Sequence, residues 1–223
     1  MIHRFDEVTS TQDILKELYR DGSAAEGDAV LAGSQTSGRG RYGRHFHSPQ
    51  GSGIYVSALL PYRDAEHLTV RAAAAVLRVL EETADVKACV EWVNDVLIDG
   101  RKVAGILAEA VADRNGKPDA VVLGVGLNVA EPEGGYPEGI RHRAAALLSP
   151  EKRQALPDDE FAAFKARLTD ALLLRLFAIA DPSRAAEDLA LYRERLVNPE
   201  DVPENTPGLS TAPAAPAFAS PDR

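Results

Sequence analysis

The sequence predicts an α+β fold: a mixed, largely antiparallel sheet with helices packed on one face. Three observations carry the prediction. Asp99-Gly100 and Asn115-Gly116 each separate two apolar runs, and such dipeptides accept the positive φ that a two-residue hairpin turn requires. Two tight turns in succession make a meander, because parallel neighbours would need long crossover connections at those points. The long alanine- and leucine-rich segments, 66–84 and 158–180, lie outside the meander, so helices and strands are segregated along the chain. A chain of 223 residues with 45% hydrophobic content suits one globular domain with its own core.

The elements follow in order. Thr9 or Ser10 can cap a short helix that carries Ile14, Leu15, Leu18 and Tyr19 on one face, with Gly22 beyond its end. Residues 29–32 read as a strand entering a glycine- and arginine-rich loop. Residues 54–60 read as the strand that leaves it, through the alternation of Ile54, Val56, Ala58 and Leu60 with Tyr55, Ser57 and Leu59. A helix over 66–84 precedes the strands 89–92, 95–98, 101–111 and 120–128. An amphipathic helix over 158–180 uses Phe161, Phe164, Leu168, Leu172 and Phe177, and a last helix opens at Pro182 and Ser183 and closes near Leu196. Beyond it, Pro199, Pro203, Pro207, Pro213, Pro216 and Pro221 stand among small and polar residues. The expected organisation is a domain over 1–196 and a disordered tail over 197–223 whose removal leaves the fold intact.

Charge and composition narrow the function. A formal net charge of -9 argues against a general nucleic-acid or anionic-membrane binder. No apolar run approaches the ~20 residues of a membrane span, and the first residues carry no secretory pattern. Cys89 is the only cysteine, which excludes an internal disulfide and fits the cytoplasm.

Against that acidic background, residues 38–44 read G-R-G-R-Y-G-R. Glycines let a backbone close on a ligand, and Arg39, Arg41 and Arg44 offer planar forks that match phosphate or carboxylate oxygens. The loop lacks the Gly-Lys-Ser/Thr of a P-loop and the strand–helix setting of a dinucleotide fingerprint. Its plain alternative is a solvated or RNA-binding arginine–glycine tract. In the stretch 90–110, Asn94 can orient a phosphate or carboxylate, Asp95 is a candidate Mg²⁺ ligand or a turn residue, and Lys102 can face an anion or merely flank a hairpin. Gly105 inside an apolar strand suggests a bulge or a ligand lying against the backbone. Gly124 and Gly126 are two apart on one strand face, which either clears a groove that Asn128 can reach or lets a helix pack closely on the sheet. His45 and His47 lack metal-ligand spacing.

Together these residues resemble the biotin protein ligase family. The likeness rests on S-T-Q (Ser10, Thr11, Gln12), Q-T-S-G-R-G-R-Y-G-R from Gln35 to Arg44, and W-V-N-D followed by G-R-K-V-A-G-I-L, from Trp92 to Leu107. G-V-G-L-N, from Gly124 to Asn128, adds a less specific match. The resemblance covers about residues 1–196 and implies the biotin/lipoate ligase-like fold. It implies ATP-dependent activation of biotin to biotinyl-5'-AMP with Mg²⁺, then transfer of biotin to a lysine of a biotin carboxyl carrier domain. By position it implies Lys102 and Arg41 as catalytic. It places Ser10, Thr11, Gln12, Gln35, Gly38, Arg39, Gly105 and Gly124 around biotin. Arg39, Arg41, Arg44, Phe46, Asn94, Lys102 and Asn128 fall around ATP and the adenylate, with Asp95 near the metal.

Two departures stand out: Glu91 replaces a lysine of the family pattern, and Val93 replaces a proline. Neither the family's small C-terminal domain nor its DNA-binding domain is recognisable, so no repressor role is expected, and the protein is expected as a monomer or homodimer. The alternatives are a lipoate ligase or octanoyl transferase type of acyl transfer and a non-catalytic binder of biotin or biotinyl-AMP.

Overall fold

The computed structural model describes residues 1–62, 67–112, 116–204, 206, 208 and 209. The strands are β1 (Ile2–Val8), β2 (Ala29–Gln35), β3 (Gly53–Pro61), β4 (Cys89–Glu91), β5 (Asp95–Ile98), β6 (Arg101–Ala112) and β7 (Pro118–Asn128). The helices are α1 (Thr11–Asp21), α2 (Leu68–Ala84), α3 (Glu138–Arg141), α4 (Pro150–Ala155), α5 (Asp158–Ala178) and α6 (Ala185–Arg195). All seven strands join one sheet in the order β1-β2-β3-β7-β6-β5-β4. Only β1 and β2 pair in parallel; every other neighbouring pair is antiparallel. The α+β class, with its mixed and largely antiparallel sheet, is therefore the one the turns predicted. Asp99 and Gly100 both take positive φ, 51° and 71°, as the hairpin signal requires. Of the second signal, Asn115 lies outside the described residues, and Gly116 has φ 81°.

Sequence reading did not find β1. Its apolar residues, Ile2, Phe5 and Val8, recur every third position rather than every second. The strand lies at the sheet edge and is largely exposed, so nothing forces an alternating pattern on it.

Alternation along β7 shows where the core sits. Val121, Leu123, Val125 and Leu127 join the main core with Leu77 and Leu80 of α2 and Leu168, Leu172 and Leu176 of α5. Ala120 and Val122 face the other way and pack with Leu15 of α1, Val30 and Leu59. Helices α2, α5 and α6 thus gather around one core, as expected, while α1 covers part of the opposite face. The cause is topological: parallel β1 and β2 need a crossover, and α1 is that crossover. Helices α2 and α6 are joined by Arg71, which donates from Nε to Asp188 Oδ2 at 3.1 Å and from Nη2 to the Asp181 carbonyl at 2.8 Å. Arg78 holds the other oxygen of Asp188. Removing Asp188 would leave the buried Arg71 without a carboxylate partner, at a cost of about 3–5 kcal/mol.

Past the expected boundary at residue 196, the described residues keep contact with the sheet. Leu196 bridges to Val90 of β4 in parallel, and the Val197 amide donates to the Val90 carbonyl at 3.0 Å. Pro199–Asp201 form a 3-10 turn. Leu209 is 2% exposed and belongs to the main core. Proline is at home in a segment that only continues an edge and then turns. Residues 205, 207 and 210–223 of the expected tail lie outside the described residues. Among the described residues, no helix is long and apolar enough to cross a membrane.

Candidate active site

Strands β6 and β7 form the floor of a cavity of about 550 Å³. Register sets its chemistry: Gly105 lies opposite Gly126, and Leu107 lies opposite Gly124. No side chain rises from three of these four positions, so neighbouring groups come down onto the backbone. A Cβ on Gly124 would stand 2.8 Å from Gln12 Nε2 and 3.2 Å from Ser57 Oγ. One on Gly126 would overlap the Phe46 ring. One on Gly105 would stand 3.0 Å from Lys102 Nζ and 3.2 Å from Phe46. The floor therefore has two ends, with Gln12 over the Leu107–Gly124 end and Lys102 over the Gly105 end.

The first end is neutral and buried. Ser10, Thr11 and Gln12 are at most 4% exposed. Gln12 Nε2 donates to the Leu107 carbonyl at 2.7 Å. The Thr11 amide donates to Gln35 Oε1 at 2.9 Å, Thr11 Oγ1 shares a hydrogen with Ser57 Oγ at 2.8 Å, and Gln35 Nε2 donates to Ser48 Oγ at 2.7 Å. Two atoms break this pattern of satisfaction. Ser10 Oγ and Gln12 Oε1 are buried without a hydrogen-bond partner. Ser10 occupies the N-cap of α1, where serine ordinarily bonds the helix amides, yet its hydroxyl makes no such bond. Both residues line the cavity. Unpartnered polar atoms in a dry wall are costly, about 1–3 kcal/mol each, and a polar ligand removes that cost.

The second end carries charge. Lys102 Nζ contacts Asp95 Oδ1 at 2.6 Å and lies 5.8 Å from the centre of the Phe46 ring. Asn94 is fixed from both sides: its Nδ2 donates to the Ile106 carbonyl at 3.1 Å, and its Oδ1 accepts from Arg41 Nη1 at 3.2 Å. Arg41 also donates to the Tyr42 hydroxyl and lies 4.9 Å from the centre of that ring. Arg44 lines the cavity and is exposed. Asn128 Nδ2 donates to the Ala145 carbonyl at 3.0 Å. Burial pushes the Tyr136 hydroxyl, which donates to the same carbonyl, well above the usual phenol range. Burial, with His45 beside it, pushes His47 down towards the neutral form.

Arg39 lines the cavity while paired within the chain, and Gly38 lies outside the cavity wall. The Arg39 guanidinium is matched within the chain, 3.2 Å from Asp13 and 3.5 Å from Glu109, while Lys16 holds Glu109 at 2.8 Å. Gly38 is buried beneath the loop rather than in the cavity wall. Its carbonyl accepts from the Phe46 amide at 2.9 Å, and any Cβ would collide with the Phe46 carbonyl. The other predicted residues, Ser10, Thr11, Gln12, Gln35, Arg41, Arg44, Phe46, Asn94, Asp95, Lys102, Gly105, Gly124 and Asn128, all line one cavity. Sequence reading missed the far wall, with Tyr136, Ile140, Arg143 and Ala144. That segment is tied to β6 by the Lys102 amide, which donates to the Arg143 carbonyl at 2.7 Å. An irregular segment of this kind carries no periodicity to read.

Glu91 and Asp95 stand opposite each other across β4 and β5, and both line the cavity. Among the described residues no group of three acidic, histidine or cysteine side chains could hold a metal. One or two carboxylates suit Mg²⁺ that arrives on a nucleotide's phosphates and keeps much of its water.

The fold and cavity define an α+β protein whose cavity is neutral at one end and charged at the other. The chain belongs to the Biotin/lipoate A/B protein ligase family, whose profile matches residues 4–128. It is 37% identical over 146 residues to the bifunctional ligase/repressor BirA of Bacillus subtilis, a match covering 64% of this chain and 44% of that one. It is 34% identical over 152 residues to the biotin–[acetyl-CoA-carboxylase] ligase of Paracoccus denitrificans, covering 62% of this chain and 63% of that one. The match thus spans less than half the length of the first relative. Among solved structures, biotin protein ligase from Aquifex aeolicus in complex with biotin and ATP superposes with a TM-score of 0.69 at 27% identity, over 88% of this chain and 78% of that one.

Proposed function

We propose that the chain activates biotin with MgATP to biotinyl-5'-AMP and then transfers biotin to a lysine of a biotin carboxyl carrier domain. The observation that carries this reading is the cavity's two-ended floor. Partnerless Ser10 Oγ and Gln12 Oε1 lie at the neutral end, and Lys102 lies over the glycines at the charged end. The names of the relatives and the biotin and ATP bound to the Aquifex aeolicus ligase support it.

Ser10 and Gln12 hold the polar head of biotin, and the glycine floor passes its acyl chain towards Lys102. A biotin carboxylate oxygen attacks the α-phosphorus, the bond from that phosphorus to the bridging oxygen breaks, and pyrophosphate leaves. Negative charge grows on the phosphoryl oxygens, and Lys102 with the Arg41 fork offsets it. Asp95, with Glu91 opposite it, would hold magnesium, which would supply further positive charge beside the phosphates. Arg44 and the loop over the site limit water access to the mixed anhydride. In the second step the neutral amine of the carrier lysine attacks the biotinyl carbonyl, AMP leaves, and the nitrogen loses a proton.

Two features weigh on the alternatives. A plain octanoyl chain would leave Ser10 Oγ and Gln12 Oε1 unsatisfied, which favours a polar-headed acid. Glu91 is exposed and stands across from Asp95, so its charge is screened by solvent and would be offset by the magnesium it helps to hold. This reading places the protein in the cytoplasm, in keeping with the free thiol of Cys89. The test is biotin-dependent exchange of pyrophosphate into MgATP, run beside label transfer to a carrier domain. Both steps are expected with biotin and neither with octanoate. Biotin binding without exchange would reduce the chain to a binding protein.

A further inference from the structure

Behind the charged end of the cavity, the chain between β4 and β5 makes a turn through Trp92, Val93 and Asn94. Its forward side presents Asn94 and Asp95. Its rear is held by residues that come about a hundred positions later. The Trp92 amide donates to Asn198 Oδ1 at 2.8 Å. The Tyr192 hydroxyl donates to the Val93 carbonyl at 3.2 Å, and the Trp92 and Tyr192 rings meet edge to face at 6.4 Å. Asn198 is itself oriented, since its Nδ2 donates to Asp201, the last residue of the 3-10 turn. The preceding residue is fixed to the sheet edge by the Val197–Val90 bond.

We infer that Asn198, together with Asp201, is a positioning residue for the nucleotide end of the site. Two peptide groups of the turn, on either side of the Trp92–Val93 peptide, are held from behind by α6 and the segment after it. The next residue, Asn94, is held in front by Ile106 and orients Arg41. The path from Asn198 to Arg41 is therefore continuous: the Trp92 peptide, the turn, Asn94 Oδ1, the guanidinium. Nothing in this path touches Ser10 or Gln12, which stand on α1 over the other end of the floor. The carboxamide suits the task. Its oxygen accepts from the turn while its nitrogen is anchored by a carboxylate, so the oxygen cannot swing away. The inference rests on the nucleotide reading proposed above.

Trp92 is the only tryptophan of the chain, so its emission reports the turn directly. The experiment titrates MgATP and biotin separately into the full chain and follows Trp92 emission, with calorimetry as a second readout. Asn198→Ala is expected to weaken MgATP binding roughly three- to tenfold, the scale of one lost hydrogen bond, and to leave biotin affinity unchanged. The exchange N198D with D201N keeps an acceptor for the Trp92 amide and a donor–acceptor pair between the two side chains. It is expected to bind MgATP like the wild type, whereas N198D alone sets two carboxylates against each other and falls short of it. Melting temperatures separate misfolding from mispositioning, and the exchange variant decides the matter if Asn198→Ala does not fold. Equal MgATP affinity in wild type and Asn198→Ala, or failure of the exchange to recover binding in a folded protein, overturns the inference. A wild-type chain that binds biotin but no MgATP overturns the functional reading itself.

Discussion

The two ends of the cavity are built on opposite plans. At the neutral end, Ser10, Thr11 and Gln12 are buried on the first turn of α1 and held by bonds to Gln35, Ser57 and Leu107. That wall is set before any ligand arrives. At the charged end, Lys102 is paired with Asp95, Arg41 with Asn94 and Tyr42, and Arg39 with Asp13 and Glu109. Those side chains are partly exposed, and their charges are already engaged by the protein. A fixed wall selects shape at little ordering cost. A charged wall that must exchange internal partners for phosphate binds its ligand only in proportion to the charge it brings. The neutral end is thus suited to recognition and the charged end to the reaction.

The sharpest way to break this contrast is Lys102→Ala. If the charged end acts mainly in the transition state, adenylation falls about 10²–10³-fold, measured as biotin-dependent pyrophosphate exchange, while biotin affinity changes little. The fold should survive, because the Lys102 side chain is 30% exposed and leaves Asp95 with access to water. Near-normal exchange rates would remove Lys102 from the mechanism.

Gly124→Ala probes the other plan. The new methyl would stand 2.8 Å from Gln12 Nε2 and 3.2 Å from Ser57 Oγ, and both groups are fixed. Overpacking of this kind costs about 1–3 kcal/mol, so biotin should bind about five- to 150-fold more weakly, with MgATP affinity unchanged. Calorimetry with each ligand alone checks both halves. Undiminished biotin affinity would mean that the neutral wall yields, and the contrast between a rigid and an adaptable end would go with it.

Much of this was legible in the sequence because it depends on local chemistry. The Asp99-Gly100 hairpin, the paired glycines of β7 and the arginine loop each announce themselves through residues that suit few other conformations. The family resemblance then gathered Ser10, Lys102 and Asn128 into one site, which periodicity alone does not do. What stayed hidden depends on long-range packing. Strand β1 lacks alternation because edge position spares it. Arg143 and Ile140 belong to a wall with no repeat. The carboxylate partners of Arg39 lie on α1 and β6, far apart in sequence from the loop, so its pairing within the chain could not be read from the loop itself. The residues after 196 read as a tail from their prolines, and composition does not reveal the bond of Asn198 to the Trp92 amide or the place of Leu209 in the main core.

The smallest effect separates the two plans most finely, because it has opposite signs in the presence and absence of ligand. Ser10→Ala removes a buried hydroxyl that has no partner and does not cap α1. In an ordinary N-cap serine the change would destabilise the helix by about 1 kcal/mol. Here no capping bond is lost and an unsatisfied group disappears, so the ligand-free protein should melt at the same temperature or slightly higher. Biotin affinity should nevertheless fall up to about tenfold, the worth of one hydrogen bond to a neutral ligand. Thermal unfolding with and without saturating biotin reads both signs in one experiment. A lower melting temperature without ligand would show that the hydroxyl caps the helix in solution. The neutral wall would then be satisfied by the protein itself, and its claim to be a preformed binding surface would lose its main physical support.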